Sequence, residues 1–331
     1  MAVLVTGGAG YIGSHMAWAL LDAGEQTVVL DNLSTGYEGL IPPQAVKILG
    51  DVGDTDLVEG VIADHGITAV IHFAGFIRVN ESVREPLKYY RSNLTNSFNL
   101  IETCIKGGVK KFILSSTASV YGEPERTPVA EDVRLKPITP YGASKAMVER
   151  ILEDVARTCD LSYACLRYFN VAGADPKLRS GQVGKPTHLI KIAAQVAAGL
   201  RDDMQIFGYD YPTADGTCIR DYVHVSDLVG AHMAALRRLD ADGGRPLVLN
   251  CGYGRGFSVR EVIAAVERVT GRAMNVDAAP RREGDPPQLV ADTAAIRSRL
   301  DWTPQYDDLD FIVRTAIEWE EKLASLEGAA A

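Results

Sequence analysis

The chain has 331 residues, of which 47% are hydrophobic, enough for one sizeable core or two contiguous ones. Forty-three acidic residues against thirty-four basic ones give a net charge of −9, which argues against a nucleic-acid or anionic-membrane surface and leaves any anionic ligand to local arginines and backbone amides. Five scattered cysteines without a C-x-x-C pair suggest neither a disulfide framework nor a zinc site and fit a reducing cytoplasm, and the chain shows no basic leader and no apolar run of about 20 residues.

Residues 2–6 are a short apolar run of the kind that forms a fully buried parallel strand, and they lead into Gly7-Gly8-Ala9-Gly10-Tyr11-Ile12-Gly13. Glycines at Gly8, Gly10 and Gly13, or equally at Gly7, Gly10 and Gly13, allow a tight turn. A pyrophosphate can then sit on the amides that open a helix over residues 11–23. A second strand at residues 27–30 closes on Asp31, where a carboxylate accepts bonds from the adenosine ribose and repels a 2′-phosphate. The pattern predicts NAD rather than NADP.

The alternation continues with a strand at 45–49 before Gly50-Asp51, a helix over 54–64, and an apolar run at 69–75 that ends in Phe73-Ala74-Gly75. A long helix over 86–106 follows, its stripe of Leu94, Phe98, Leu100 and Ile101 reading as core or subunit contact, and then a strand that ends in Ser115-Ser116-Thr117. Strands separated by helix-length segments imply right-handed crossovers, so the expected fold is α/β, a Rossmann-type doubly wound parallel sheet with ligands at the carboxyl ends of its strands. Asp31, Asp51, Phe73-Ala74-Gly75 and Ser115 to Thr117 fall there, while His72, with no carboxylate or cysteine spaced around it, reads as a packed histidine.

Tyr141-Gly142-Ala143-Ser144-Lys145 opens another helix and places a phenol and an ammonium four residues apart on one face. The cation is expected to favour the tyrosinate and draw the phenol below its usual pKa, so that it can take a proton from an alcohol. Beyond Asn170 the alternation loosens into Gly- and Pro-containing loops at 174–186 and 209–216. The expected organisation is a nucleotide domain over 1–170, with returning segments near 221–251, and a smaller mixed α/β substrate domain over 171–331, a ligand being enclosed between them.

Taken together these motifs resemble the extended short-chain dehydrogenase/reductase family, the NAD-dependent epimerases and dehydratases, and within it the UDP-glucose 4-epimerases. The likeness runs through the whole chain, from the glycine turn to Val120-Tyr121-Gly122, Arg167-Tyr168-Phe169-Asn170, Asp210-Tyr211-Pro212-Thr213, Arg220-Asp221-Tyr222-Val223-His224 and Arg281-Arg282-Glu283-Gly284-Asp285. It implies that Tyr141 is the acid/base, that Lys145 lowers its pKa and holds the nicotinamide ribose, and that Thr117, where many members have serine, positions the sugar 4-OH. It further implies cofactor contacts from Gly7, Gly10, Tyr11, Ile12, Gly13, Asp31, Asn32, Asp51, Val52, Phe73, Ala74 and Gly75, with Asn93, Ser115 and Tyr168 around the nicotinamide half.

By the same likeness Asn170, Arg220, Arg282 and Asp285 anchor UDP, Phe207 lies beside the uracil, and Gln205, His188 and Leu189 are further substrate contacts. Forked guanidinium donors suit a diphosphate. His188 stands where several members carry an asparagine, and Arg78 follows a position where many carry lysine. Leu289 aligns with a position that sets the room beside the sugar 2-position, so N-acetylated UDP-hexosamines are expected to be accepted as well. The implied reaction is interconversion of UDP-galactose and UDP-glucose through a 4-keto intermediate. Epimerisation of a UDP-pentose or UDP-uronate is the alternative. A 4,6-dehydratase by family pattern needs an acidic pair where this chain has Ala118-Ser119, and a non-catalytic NAD-binding protein could have lost Tyr141 or Lys145. Helices over 86–106 and 141–158 resemble those through which relatives form homodimers.

Overall fold

Apolar runs that are hydrophobic on both alternating faces become parallel strands because helices cover both sides of the sheet. The computed structural model describes residues 1–184, 188–241, 245–282 and 285–330. Its first half alternates β1 (Ala2–Thr6), α1 (Tyr11–Asp22), β2 (Gln26–Asp31), β3 (Val46–Leu49), α2 (Thr55–His65), β4 (Ala69–His72), α3 (Val79–Arg84), α4 (Pro86–Tyr89), α5 (Asn96–Lys106), β5 (Lys111–Thr117), α6 (Pro140–Val155) and β6 (Ser162–Tyr168). The second half is more broken: β7 (Asn170–Ala172), α7 (Leu189–Ala197), β8 (Met204–Phe207), β9 (Ile219–Arg220), β10 (Tyr222–His224), α8 (Val225–Ala241), β11 (Leu247–Cys251), β12 (Phe257–Ser258), α9 (Val259–Thr270), β13 (Val276–Ala279), β14 (Gln288–Leu289), α10 (Ala294–Arg299) and α11 (Leu309–Ala330).

Seven strands form one sheet in the order β11-β6-β5-β4-β1-β2-β3, every pair parallel. This is the expected doubly wound Rossmann-type sheet. The chain winds outward from β1 to β3 and then crosses back to β4, so a crevice opens at the carboxyl ends of β1 and β4, where such folds bind ligands. Successive residues of β1 point to opposite cores. Val3 and Val5 join Met16 and Leu20 of α1 and Leu228 of α8, whereas Leu4 joins Val58 and Ile62 of α2, Leu100 of α5 and Val148 of α6. Beside this sheet lie three small ones, β7 with β10, β12-β9-β14, and β8 with β13.

Two expectations need correction. The helix expected over 86–106 is interrupted by a π turn, Tyr90–Thr95, between α4 and α5. The extra residue in that turn carries Asn93 inward, where its amide bonds both the N–H and the C=O of Phe76 at 2.8 Å, a tertiary reward that the apolar periodicity does not register. The apolar run at 69–75 is strand only to His72, since Phe73 to Gly75 turn away, with Gly75 at φ 146°. His72 itself is packed as expected. Its Nδ1 meets the Thr6 hydroxyl at 2.7 Å and its Nε2 the Ser97 hydroxyl at 2.8 Å, and burial lowers its pKa to about 3. Among the described residues no helix is long and apolar enough to cross a membrane.

Candidate active site

The glycine turn between β1 and α1 admits no larger residue at its tightest points. A Cβ on Gly13 would lie 2.2 Å from the Gly7 carbonyl oxygen, and one on Gly7, whose φ is +71°, would lie 2.6 Å from the Ala74 amide nitrogen. Gly10 is the N-cap of α1, and no side chain caps it, so the first-turn N–H groups at Tyr11 and Ile12 are left for an anion. That uncapped helix start in a glycine-lined crevice fits a dinucleotide pyrophosphate. Asp31 is nearly buried at the end of β2. Its oxygens accept from the Ala9 N–H at 2.9 Å and the Leu33 N–H at 2.8 Å, so it braces the glycine turn as well as presenting a carboxylate beside it. Asn32 donates to Asp51 at 2.7 Å, Asp51 accepts in turn from the Gly53 N–H and the Asn96 amide, and Val52 is buried next to it.

Parallel pairing of β5 with β6 sets the catalytic candidates in register, with Thr117 opposite Tyr168. Ser115 and Tyr168 hydroxyls are hydrogen-bonded to each other. Thr117 Oγ1 accepts from the Ser119 N–H at 3.1 Å, which leaves its own proton for a partner, and its hydroxyl draws the Tyr141 phenol's pKa down against burial. Tyr141 sits in the first turn of α6, behind the Thr139 cap, and Lys145 lies one turn on; both are buried. The Lys145 ammonium has no hydrogen bond among the described residues, and burial lowers its pKa to about 8 against the opposing pull of Glu149.

The expected effect of this lysine on the tyrosine is not what the protein alone gives. Burial raises the Tyr141 phenol above its usual value, and the neighbouring Thr117 hydroxyl opposes that. Spacing placed the two groups one turn apart on α6, and desolvation acts against the charged form of each.

A second cluster gathers where the small sheets meet. Arg220 on β9 donates to Asp285 at 2.6 Å, Leu289 on β14 pairs with Arg220 in the parallel register, and the Arg282 guanidinium lies 3.9 Å from the centroid of the Phe207 ring. Gln205 and Phe207 alternate with the buried Met204 and Ile206 along β8, so they share its outer face. Asn170 opens β7 opposite Tyr222, and its N–H donates to the Asp221 carbonyl at 2.9 Å. His188 precedes Leu189 at the start of α7. The side chain of Arg78 is exposed at the N-cap of α3. Glu283 and Gly284 of the 281–285 motif, and residues 185 and 186 of the loop expected at 174–186, lie outside the described residues.

Comparison with known proteins places this geometry. Residues 3–252 match the NAD dependent epimerase/dehydratase family. The chain belongs to that family. It is 53% identical over 329 residues to a UDP-glucose 4-epimerase of Azospirillum brasilense, an alignment that covers 99% of this chain and 94% of that protein. It superposes with a TM-score of 0.95, at 39% identity and over 98% of this chain and 99% of the other, on the crystal structure of UDP-glucose-4-epimerase from Stenotrophomonas maltophila with bound NAD and formylated UDP-arabinopyranose. The UDP-Glc/GlcNAc 4-epimerase of Campylobacter jejuni is 46% identical, with a TM-score of 0.85 over 97% of this chain and 99% of that one.

Several residues that brace this epimerase/dehydratase site were not singled out from the sequence. Asn96 holds Asp51. Asp221, beside Arg220, accepts from the N–H groups of Tyr253, Gly254 and Ala291, so one buried carboxylate ties the ends of β10, β11 and β14 together; burial raises its pKa to about 6. Glu149, buried one turn beyond Lys145, accepts from the Ser116 hydroxyl and from two nitrogens of Arg167. Its i+4 spacing from the lysine was the available signal. Nothing local to the sequence named Arg167 or Ser116 as its partners.

Proposed function

We propose that the protein interconverts UDP-galactose and UDP-glucose by inverting the sugar at C4 through a 4-keto intermediate. The observation that carries this reading is the buried Tyr141, beside Thr117 at the carboxyl edge of the sheet and one helical turn from a buried Lys145 that has no hydrogen bond among the described residues, in a chain that also pairs Arg220 with Asp285 and Arg282 with Phe207. NAD, when bound, supplies the acceptor that takes hydride from C4 and returns it. Gly7, Gly10, Gly13 and the Tyr11 and Ile12 amides hold its pyrophosphate, with Asp31, Asn32, Asp51 and Val52 on the adenosine side and Phe73, Ala74, Gly75, Asn93, Ser115 and Tyr168 on the nicotinamide side.

Tyr141 takes the proton of the 4-OH while Thr117 orients that hydroxyl, and Lys145 provides the positive charge that favours the tyrosinate in the loaded enzyme. The C4–H bond breaks as the C4=O bond forms. Arg220, Arg282, Asp285, Asn170, His188, Leu189, Gln205 and Phe207 keep the UDP moiety fixed. The keto sugar, held loosely, turns over, and hydride and proton return on its opposite face. Net redox change is nil. Incubation with UDP-galactose followed by separation of the products should yield UDP-glucose. A 4-keto-6-deoxy sugar nucleotide would move the assignment to a dehydratase, and the absence of product to a non-catalytic protein.

Leu289 is half-buried and in register with Arg220; by family likeness the position borders the sugar 2-position, and a leucine smaller than tyrosine there supports acceptance of N-acetylated UDP-hexosamines. Turnover of UDP-N-acetylgalactosamine by the wild type and its selective loss in Leu289→Tyr are the expected results. Equal rates for both sugars in that variant would discard the role of Leu289. We assign the protein to the cytoplasm, a location supported by its five free cysteines.

A homodimer is supported by apolar side chains exposed along α3 to α6, namely Val83 at 60%, Leu87 at 74%, Phe98 at 47% and Met147 at 44%. Light scattering should give the mass of two chains for the wild type and of one for Leu87→Asp. A single-chain mass for both removes the proposal.

A further inference from the structure

Behind the proposed diphosphate end of the UDP site lies a set of buried polar groups that the chemistry above does not use. A cavity of about 20 Å³, room for one water, is lined by Asn170, Gln182, His188, Lys191, Trp319 and Glu320. Lys191 on α7 and Glu320 on α11 form an ion pair in which both side chains are almost wholly buried, 3% and 4% exposed. Such a pair costs desolvation free energy on both partners, so its geometry must be well satisfied to persist. It is. The second Glu320 oxygen accepts from the Gln195 amide at 2.9 Å, and the Lys191 ammonium also donates to the backbone carbonyl of Gln182 at 2.7 Å. That carbonyl accepts a further bond, from the Trp319 indole at 3.2 Å. The Gln182 side-chain amide, so anchored, donates to His188 Nδ1 at 2.9 Å. Burial, and then the nearby Lys191 charge, lower the pKa of His188 and keep its imidazole neutral, an acceptor for that amide.

The rest of α11 grips the same segment. Thr315 Oγ1 accepts from the Ala174 N–H at 3.2 Å, and Lys322 donates to the Leu178 carbonyl at 2.6 Å. The same segment is tied on its other side to α1, for the Tyr11 phenol donates to the Gly173 carbonyl at 2.6 Å and the Ser14 and Ser180 hydroxyls meet at 2.6 Å. Residues 173–182 are therefore fastened between α1 and α11, and the fastening ends on the imidazole at the start of α7.

We infer that Gln182 is a positioning residue for UDP binding, orienting His188 at the diphosphate end of the site, and that the buried Lys191–Glu320 pair exists to hold the Gln182 backbone in place for that task. This rests on the functional reading above, which puts His188 and Asn170 against UDP. A purely structural pair would affect stability alone. A positioning device affects affinity for UDP in a way that is separable from both stability and the chemical step.

The test uses the full chain with its NAD. Gln182→Leu should raise KM for UDP-galactose and Kd for UDP about tenfold, the worth of one well-placed hydrogen bond, with kcat within about twofold and the melting temperature unchanged. Lys191→Met should raise both constants similarly and also lower the melting temperature, because it strands Glu320. The apolar pair Lys191→Met with Glu320→Leu should recover the melting temperature but not the affinity, since the Gln182 carbonyl still lacks its ammonium donor. Recovery of affinity together with stability in that double variant would overturn the inference, as would an unchanged UDP Kd in Gln182→Leu. A wild-type protein that fails to bind UDP would instead overturn the functional reading beneath it, and would be seen before any variant is compared.

Discussion

Tyr141→Phe is expected to lower kcat for UDP-galactose by on the order of 10³-fold while leaving the bound NAD content of the purified protein unchanged. The phenol is the one proton acceptor placed by the Thr117 hydroxyl, and phenylalanine keeps the ring packing in the first turn of α6 while removing only the oxygen. Cofactor retention follows because the glycine turn, Asp31 and the Asn32–Asp51–Asn96 web make no hydrogen bond to Tyr141. Absorbance of bound NAD and a coupled assay for UDP-glucose check the two halves separately. A variant with more than about a tenth of wild-type turnover would assign the proton transfer to another group. A variant that loses NAD would instead show that the hydroxyl serves binding. Thr117→Val in the same assay separates orientation of the sugar hydroxyl from proton transfer, since valine keeps the branched shape without the Oγ1.

The second large effect is expected on stability. Glu149→Leu should destabilise the protein by about 3–5 kcal/mol, read as a fall in the denaturant midpoint, because it leaves the Arg167 guanidinium buried without its carboxylate. Arg167 is only 6% exposed, and beyond Glu149 its bonds are to the Tyr121 hydroxyl at 3.0 Å and the Glu131 carbonyl at 3.2 Å, neither of which carries charge. Glu149→Leu combined with Arg167→Met should recover most of the loss, since the charge and its partner are removed together. A single variant that costs less than about 1 kcal/mol would mean that water reaches Arg167 and solvates it. The same carboxylate acts on the chemistry at a distance. It is the foremost influence that opposes the burial-driven fall in the Lys145 pKa, so the single variant is also expected to lose activity earlier as pH is raised.

The two halves of the molecule were not equally legible from the sequence. The first half announced itself because the central strands β1, β2 and β4 are buried on both faces and Gly7 and Gly13 of the turn after β1 are sterically required, so composition and spacing carry the fold directly. The π turn at 90–95 was invisible, since it costs one residue of register and is repaid by the bonds of Asn93 to Phe76, 17 residues earlier in the chain. In the second half the strands are two to five residues long and pair across large separations, as Leu289 does with Arg220, and no local period betrays such contacts. Resemblance alone brought Arg220, Arg282, Asp285 and Phe207 into one list, and no local period foretold that Arg220 bonds Asp285 or that Arg282 lies over Phe207. The burial that raises the Tyr141 pKa was not legible, because sequence spacing reports which groups are near each other and is silent on how much water each has lost.

One edge strand of the sheet comes from far along the chain, and this has a consequence for how the protein is made. β11 lies against β6 although 78 residues separate the end of one from the start of the other, and α8, which covers the same face as α1, comes just before it. A nascent chain that has emerged only as far as Tyr168 therefore presents an open hydrogen-bonding edge along β6 and an apolar flank along Met16 and Leu20. The nucleotide-binding half can cover that edge only after the polypeptide has passed residue 251.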